Sequence, residues 1–183
     1  MADTTKRYGA KELRIMEVGE NERKNIKRNP VYIILDNVLD TYNIGAIFRL
    51  ADAVSASKVY ICGESEIPPN HRIKKASINT TEWVPWEYAK DANVAITNLR
   101  EEMPNVQVVA IEQSEKSVSY TEVDYSFPLA FVVGHETDGV SREAMAASDV
   151  IAEIPMWGVN KSMNVMVSLA IVLFRAMDKL SKK

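Results

Sequence analysis

The sequence has a single cysteine, Cys62, so no internal disulfide can form, which fits a reducing compartment. Cys62 closes the apolar run Val59-Tyr60-Ile61 and reads as a small buried residue rather than a nucleophile. There is no G-x-G-x-x-G, which argues against a dinucleotide site of the Rossmann type. Gly134 and Gly139 have the spacing of a phosphate cradle, but Val140-Ser141 follows where Lys-Ser/Thr is needed, which excludes a Walker A loop. The two histidines, His71 and His135, sit in unlike contexts with no ligand-spaced cysteine, and no metal site is predicted. No serine has a nucleophile-elbow setting. The longest apolar run, Val165 to Met177, is about 13 residues, short of the roughly 20 a membrane span needs. The amino-terminal MADTTKRYGAKE has no apolar core and does not resemble a signal peptide, so a cytoplasmic protein is expected.

What is present describes a globular chain. Apolar residues make up 46% and charged residues 26% of 183, enough for one domain with a sizeable core. The net charge of -3 announces no overall basic field. Its distribution is uneven: residues 1–30 hold 8 Lys/Arg against 5 Asp/Glu, leaving the remainder 14 against 20. We read 1–30 as a basic helical extension, broken near Gly19 and stopped by Pro30, and 31–183 as the main domain.

Continuous apolar runs predict strands at Val31–Leu35, Val59–Cys62, Val106–Ile111, Leu129–Val133 and Val150–Ile154. Helical patterns alternate with them: from Asn43, at Asp91–Glu102, at Ser141–Ala147, and from Ser162 onward. Strands alternating with helices imply an α/β fold with a mostly parallel sheet, whose ligands sit beyond the carboxyl ends of the strands. The loops there are 36–42, 112–116, 134–139 and 155–161.

Several residues have structural as well as functional readings. Asn43 is placed like a helix N-cap. Arg49, in an otherwise apolar helix, calls for an anionic partner or a water-filled cleft. Glu136 is either a cap acceptor, a solvated side chain or part of a site. Trp83, Trp86 and Tyr88, beside Arg72, Lys74 and Lys75, suit either core packing or base stacking with phosphate contacts. Asn160, Ser162 and Asn164 form a polar cluster at the mouth of an apolar helix, where a ligand is expected.

Three stretches carry a family resemblance. Leu35-Asp36-Asn37-Val38 through Asn43-Ile44-Gly45-Ala46-Ile47-Phe48-Arg49 resembles motif 1 of the SpoU/TrmH family, RNA ribose 2'-O-methyltransferases of the SPOUT superfamily. Phe131-Val132-Val133-Gly134-His135-Glu136-Thr137-Asp138-Gly139-Val140-Ser141 is similar to motif 2. Ile154-Pro155-Met156-Trp157-Gly158 with Ser162-Met163-Asn164-Val165 is similar to motif 3. All three occur in family order.

The resemblance implies a SPOUT fold: a mostly parallel five- or six-stranded sheet, helices on both faces, and a C-terminal trefoil knot. It implies S-adenosylmethionine as methyl donor, with Ile111, Glu112, Gly134, Glu136, Ile154, Met156, Ser162 and Met163 lining its site. Asn43, Arg49, Glu136, Ser162 and Asn164 become the expected catalytic set. Arg49, Arg72, Lys74 and Lys75 become the expected RNA contacts, with tRNA or rRNA as substrate. A homodimer through the C-terminal helix is implied as well. Three departures bear on substrate choice: Leu50 replaces a small polar residue, Val54-Ser55-Ala56 lacks a common glycine, and Ile78-Asn79-Thr80 replaces a Gly-Ala turn. A non-catalytic RNA- or cofactor-binding homologue is the alternative reading, which the intact polar motif residues disfavour.

Overall fold

The computed structural model describes residues 7–180; positions 1–6 of the expected extension and 181–183 of the expected main domain lie outside it. Two short helices come first, α1 (Ala10–Ile15) and α2 (Glu20–Lys24). Each starts after a glycine whose N–H is held by a glutamate three residues on: Gly9 donates to Glu12 at 2.6 Å and Gly19 to Glu22 at 3.2 Å. No residue of α1 is buried.

The body then alternates. Its elements are β1 (Asn29–Asp36), α3 (Thr41–Ala53), β2 (Ala56–Cys62), α4 (His71–Ser77), β3 (Trp86–Ala89), α5 (Ala92–Glu102) and β4 (Gln107–Ile111). After them come β5 (Val118–Ser119), β6 (Leu129–Gly134), α6 (Arg142–Ala147), β7 (Val150–Glu153) and α7 (Val165–Leu180). All strand pairs are parallel, in the order β3-β2-β1-β6-β4-β7-β5.

Strand β1 explains the layering. Val31, Ile33 and Leu35 point to one core, shared with α3 and α7, while Tyr32 and Ile34 point to the other, shared with α5 and α6. Burial on both faces is why the run is continuously apolar rather than alternating. Helix α7 buries Leu169, Val172, Leu173 and Ala176, the i, i+3, i+4, i+7 stripe of a helix on a sheet. Helix α4 lies so close to α3 that a Cβ on Gly45 would stand 2.5 Å from the Ala76 Cβ and 2.8 Å from the Ile73 carbonyl oxygen. Only glycine permits that approach.

Four expectations are corrected. The sheet has seven strands, not five or six. The added edge strands, β3 and β5, are 4 and 2 residues long, too short to show a period. Pro30 does not stop a helix; it lies within β1, near the strand's start, where register is irregular between Asn29 and Tyr32 and the missing N–H is tolerated. The N-cap of α3 is Asp40, whose carboxylate accepts from the Tyr42 N–H at 2.7 Å, not Asn43. Helix α7 starts at Val165 rather than Ser162, because Asn164 caps it by accepting from Met166 N at 3.0 Å and Val167 N at 3.3 Å.

The aromatic stretch divides. Trp83 is buried and Trp86 packs half-buried on the α3 side of the sheet, whereas Tyr88 is exposed and donates its hydroxyl to the Gly63 carbonyl at 3.2 Å. The two departures that replace glycine fall on left-handed backbone: Ser55 has φ 49°, Ile78 φ 53° and Asn79 φ 67°. Ser55 stands just past the end of α3, where left-handed geometry costs an L-residue roughly 1–2 kcal/mol. Ser55→Gly is therefore expected to stabilise the fold by about 1 kcal/mol, raising Tm by about 3 °C in a thermal melt. An unchanged or lower Tm would show that this residue is not strained.

Candidate active site

The carboxyl ends of β4, β6 and β7 open onto one cleft of about 530 Å³. Its floor is a pair of glycines. A Cβ on Gly134 would stand 2.2 Å from the Gly139 carbonyl group, and one on Gly139 would stand 2.0 Å from Glu112 Oε2. Gly139 also has φ 72°. The 135–139 turn is closed by His135 N donating to Gly139 O at 3.1 Å and Gly139 N donating back to His135 O at 2.9 Å. His135 Nδ1 accepts from the Thr137 and Asp138 N–H groups at 3.0 and 3.2 Å.

Carboxylates stitch the loops together. Glu112 accepts from Val140 N at 2.9 Å and Gln113 N at 2.8 Å. Buried Asp36 accepts from Ser141 N at 2.7 Å and Asn37 Nδ2 at 3.0 Å. Gln113 Nε2 donates to the Lys161 carbonyl at 2.8 Å, joining the loop after β4 to the loop after β7.

Glu136 reaches across to the start of α3. It accepts from Leu39 N at 3.2 Å, Asp40 N at 3.0 Å and Asn43 Nδ2 at 3.0 Å. Asn43 Oδ1 in turn accepts from Asn164 Nδ2 at 3.0 Å. The orientations are chemically forced: an ionised carboxylate takes only donors, and the N–H groups opening α7 demand the Asn164 oxygen. One line of three side chains thus joins residues separated by 93 and 121 positions. Desolvation opposes the charged form of Glu136, but the Asn43 amide, its own N–H and those of Leu39 and Asp40 outweigh it, holding the carboxyl below its ordinary range.

All eight residues expected at the methyl-donor site line this cleft: Ile111, Glu112, Gly134 and Glu136 from the β4 and β6 ends, Ile154, Met156, Ser162 and Met163 from the segment after β7. Of the expected catalytic set, Glu136, Ser162 and Asn164 line it, and Asn43 stands behind them at 7% exposure. Arg49 does not join them. It lies on the solvent face of α3, about 120° round the helix from Asn43. It has neither an ion pair nor a side-chain hydrogen bond among the described residues, contrary to the expected anionic partner. Arg72, Lys74 and Lys75 are on α4, outside the cleft. Gln113 and Asp36 lie in loops expected at the ligand end of the sheet, but their pairings were not foreseen; the partners are 48 and 105 positions away, and no local signal marks such pairs. Cys62 is fully buried and its thiol is pushed up to about 12, by desolvation first and then by Asp36 and Asp91, so it is no nucleophile.

The lining is acidic. Glu112, Glu136, Asp138 and Glu153 face it against Lys161, while Ile111, Ile154, Met156, Met163 and Val165 supply apolar surface. Such a cleft suits a flat, partly apolar ligand carrying positive charge and repels phosphates.

A model described as the SpoU rRNA Methylase family matches residues 30–174. A tRNA (guanosine(18)-2'-O)-methyltransferase of Aquifex aeolicus is 33% identical over 174 residues, covering 93% of this chain and 77% of its own. A 23S rRNA (guanosine-2'-O-)-methyltransferase of Ralstonia nicotianae is 31% identical, covering 85% of this chain and 61% of its own. A solved AdoMet-bound rRNA methyltransferase of Sinorhizobium meliloti superposes with a TM-score of 0.75 at 30% identity, over 86% of this chain and 60% of its own.

Because the Glu136 carboxyl is lowered in the fold, its contribution is present above the unfolded value near about 4.3 and is lost as pH falls through the folded one. Glu136→Ala is expected to lower Tm at pH 7, with the gap to the parent narrowing below about pH 4. A gap of constant size from pH 7 to pH 3 would contradict the bonding described.

Proposed function

The chain belongs to the SpoU rRNA methylase family, and on that premise we propose that it transfers a methyl group from S-adenosylmethionine to a ribose 2'-hydroxyl of tRNA or rRNA. The observation that carries this reading is the junction of the three motifs at Asn43, Glu136 and Asn164, on the rim of an acidic and apolar cleft. Activity and substrates are named for relatives that this chain spans by 77% and 61% of their lengths. The tRNA-acting relative aligns over more of this chain, so tRNA is the first substrate to test.

The cleft fits that donor. Ile111, Ile154, Met156 and Met163 would pack the adenosine and keep water from it, and Glu112, Glu136 and Glu153 would face its positive charge. Bound there, S-adenosylmethionine supplies an activated methyl on a sulfonium. The chain has to align a hydroxyl with it, and alignment at best is worth roughly 7–11 kcal/mol. Asn43, Glu136 and Asn164 hold the three loops in register for this. Ser162, exposed beside them, would touch the ribose or the donor. Glu136 stays ionised and fully engaged, so it is a positioning residue and not the proton acceptor. Arg49 would clamp an RNA phosphate, since a guanidinium does not give up its proton at working pH.

A homodimer follows from the same reading. Val167 and Phe174, one heptad apart, lie on the side of α7 away from the core, 37% and 49% exposed, and Tyr42 on neighbouring α3 is 57% exposed. A second copy covering them would bring the outward-facing Arg49 to the site. A monomeric mass in light scattering would remove that part. The trefoil knot is a further proposal. The chain enters β7 from the α6 side and leaves it for α7 on the opposite side, while residues 112–128 leave β4, pair outside β7 and return to β6. This path suits a carboxyl-terminal segment threaded through that loop. Residues 1–30 would act as an appended basic module, in a cytoplasmic protein.

Incubating tRNA and total RNA with labelled S-adenosylmethionine is expected to yield alkali-resistant ribose-methylated linkages. Arg49→Ala is expected to lower transfer about a hundredfold and weaken RNA binding, with donor binding kept. Donor binding without transfer to any RNA would favour the non-catalytic homologue.

A further inference from the structure

A second cleft, of about 430 Å³, lies between α1 and α4 and shares no lining residue with the first. It is lined by Arg14, His71, Lys74, Lys75 and Asn79. Among the described residues no carboxylate lines it, in a chain whose net charge is -3. Arg14, Lys74 and Lys75 have no ion pair or side-chain hydrogen bond among the described residues, so three cations converge with no described carboxylate paired to them. Unpaired cations gathered in a concave site attract an anion more strongly than the same charges spread over a surface.

One residue lining this cleft supplies a second, independent observation. Asn79 is 4% exposed, and its Oδ1 is buried with no hydrogen-bond partner. Its Nδ2 is committed to the Met16 carbonyl at 3.3 Å, which fixes the oxygen as the free end. A buried acceptor left without a donor is costly unless water or a ligand provides one. Asn79 sits at φ 67°, in left-handed backbone just past α4. A backbone phosphodiester offers acceptors only, so one ligand that satisfies both the cations and Asn79 joins such a phosphate to a hydrogen-bond donor.

We infer that the α1–α4 cleft binds one nucleotide of the RNA substrate outside the methylation site, with Arg14, Lys74 and Lys75 on a backbone phosphate and Asn79 Oδ1 on a donor of the attached nucleoside. The donor is either the ribose 2'-hydroxyl or a base amine. The inference rests on the RNA-acting reading and extends it to Arg14 and Asn79. Helix α4 is rigidly seated on Gly45 of α3, two residues from Asn43, so a strand held here has a fixed position relative to the cleft.

RNA binding measured by fluorescence anisotropy, without methyl donor, tests the cleft separately from the reaction. Arg14→Ala and Lys74→Ala together are expected to weaken RNA binding about tenfold, and Arg14→Ala alone to reduce the slope of log affinity against log salt by about one. Donor affinity and kcat at saturating RNA should not move. Arg100→Ala, on the far face of the sheet, is the control; an equal loss there, or none in the cleft variants, overturns the proposal. Asn79→Gly keeps the left-handed backbone and removes the carboxamide. Weakened RNA with unchanged DNA of the same sequence assigns the 2'-hydroxyl, equal weakening of both assigns the base, and no change in either overturns the role of Asn79. A parent protein that binds RNA in an Arg14-dependent way yet never methylates it supports the cleft while overturning the proposed reaction.

Discussion

One carboxamide joins three of the segments that meet at the carboxyl end of the sheet. Asn43 donates to Glu136 and accepts from Asn164, and each partner also satisfies backbone N–H groups that open a helix or a loop. Glu136 serves the residues leading into α3, and Asn164 the first turn of α7. Remove the middle member and Glu136 and Asn164 each lose a side-chain partner at once, which costs more than one hydrogen bond contributes. Three loops that meet nowhere else in sequence are held in one arrangement by groups that can each bond only one way round.

Charge then divides the labour. The first cleft collects carboxylates and apolar side chains, a setting for a cationic methyl donor. The second collects cations and one orphan acceptor, a setting for nucleic acid. A single mixed pocket would make the two ligands compete with the same charges. The weak overall charge of -3 hides this division entirely.

Much of the fold was legible in the sequence because strands buried on both faces leave continuous apolar runs. The five predicted runs all appear, near their expected limits. What escaped was short or non-local. Strand β5 is two residues held by pairing with β7, and Pro30 lies in a strand because the irregular start of β1 does not require its N–H. The eight cleft residues were named from motif resemblance, not from spacing, and the structure gathers all of them. Arg49 was read from its neighbours as needing an anionic partner or a water-filled cleft, but its side chain emerges on the one exposed stripe of α3. Hydrogen bonds spanning 93 to 121 positions, such as those of Glu136 and Asn164, leave no local trace.

The central claim is that the Asn43 junction builds the methyl-transfer site as one unit. A double-mutant cycle with Asn43→Ala and Asn164→Ala, read on the rate of methyl transfer to RNA, tests it most directly. Residues acting as a unit are non-additive, so the double variant should be little slower than the worse single one, with coupling above about 1 kcal/mol. Losses that multiply independently would contradict the account.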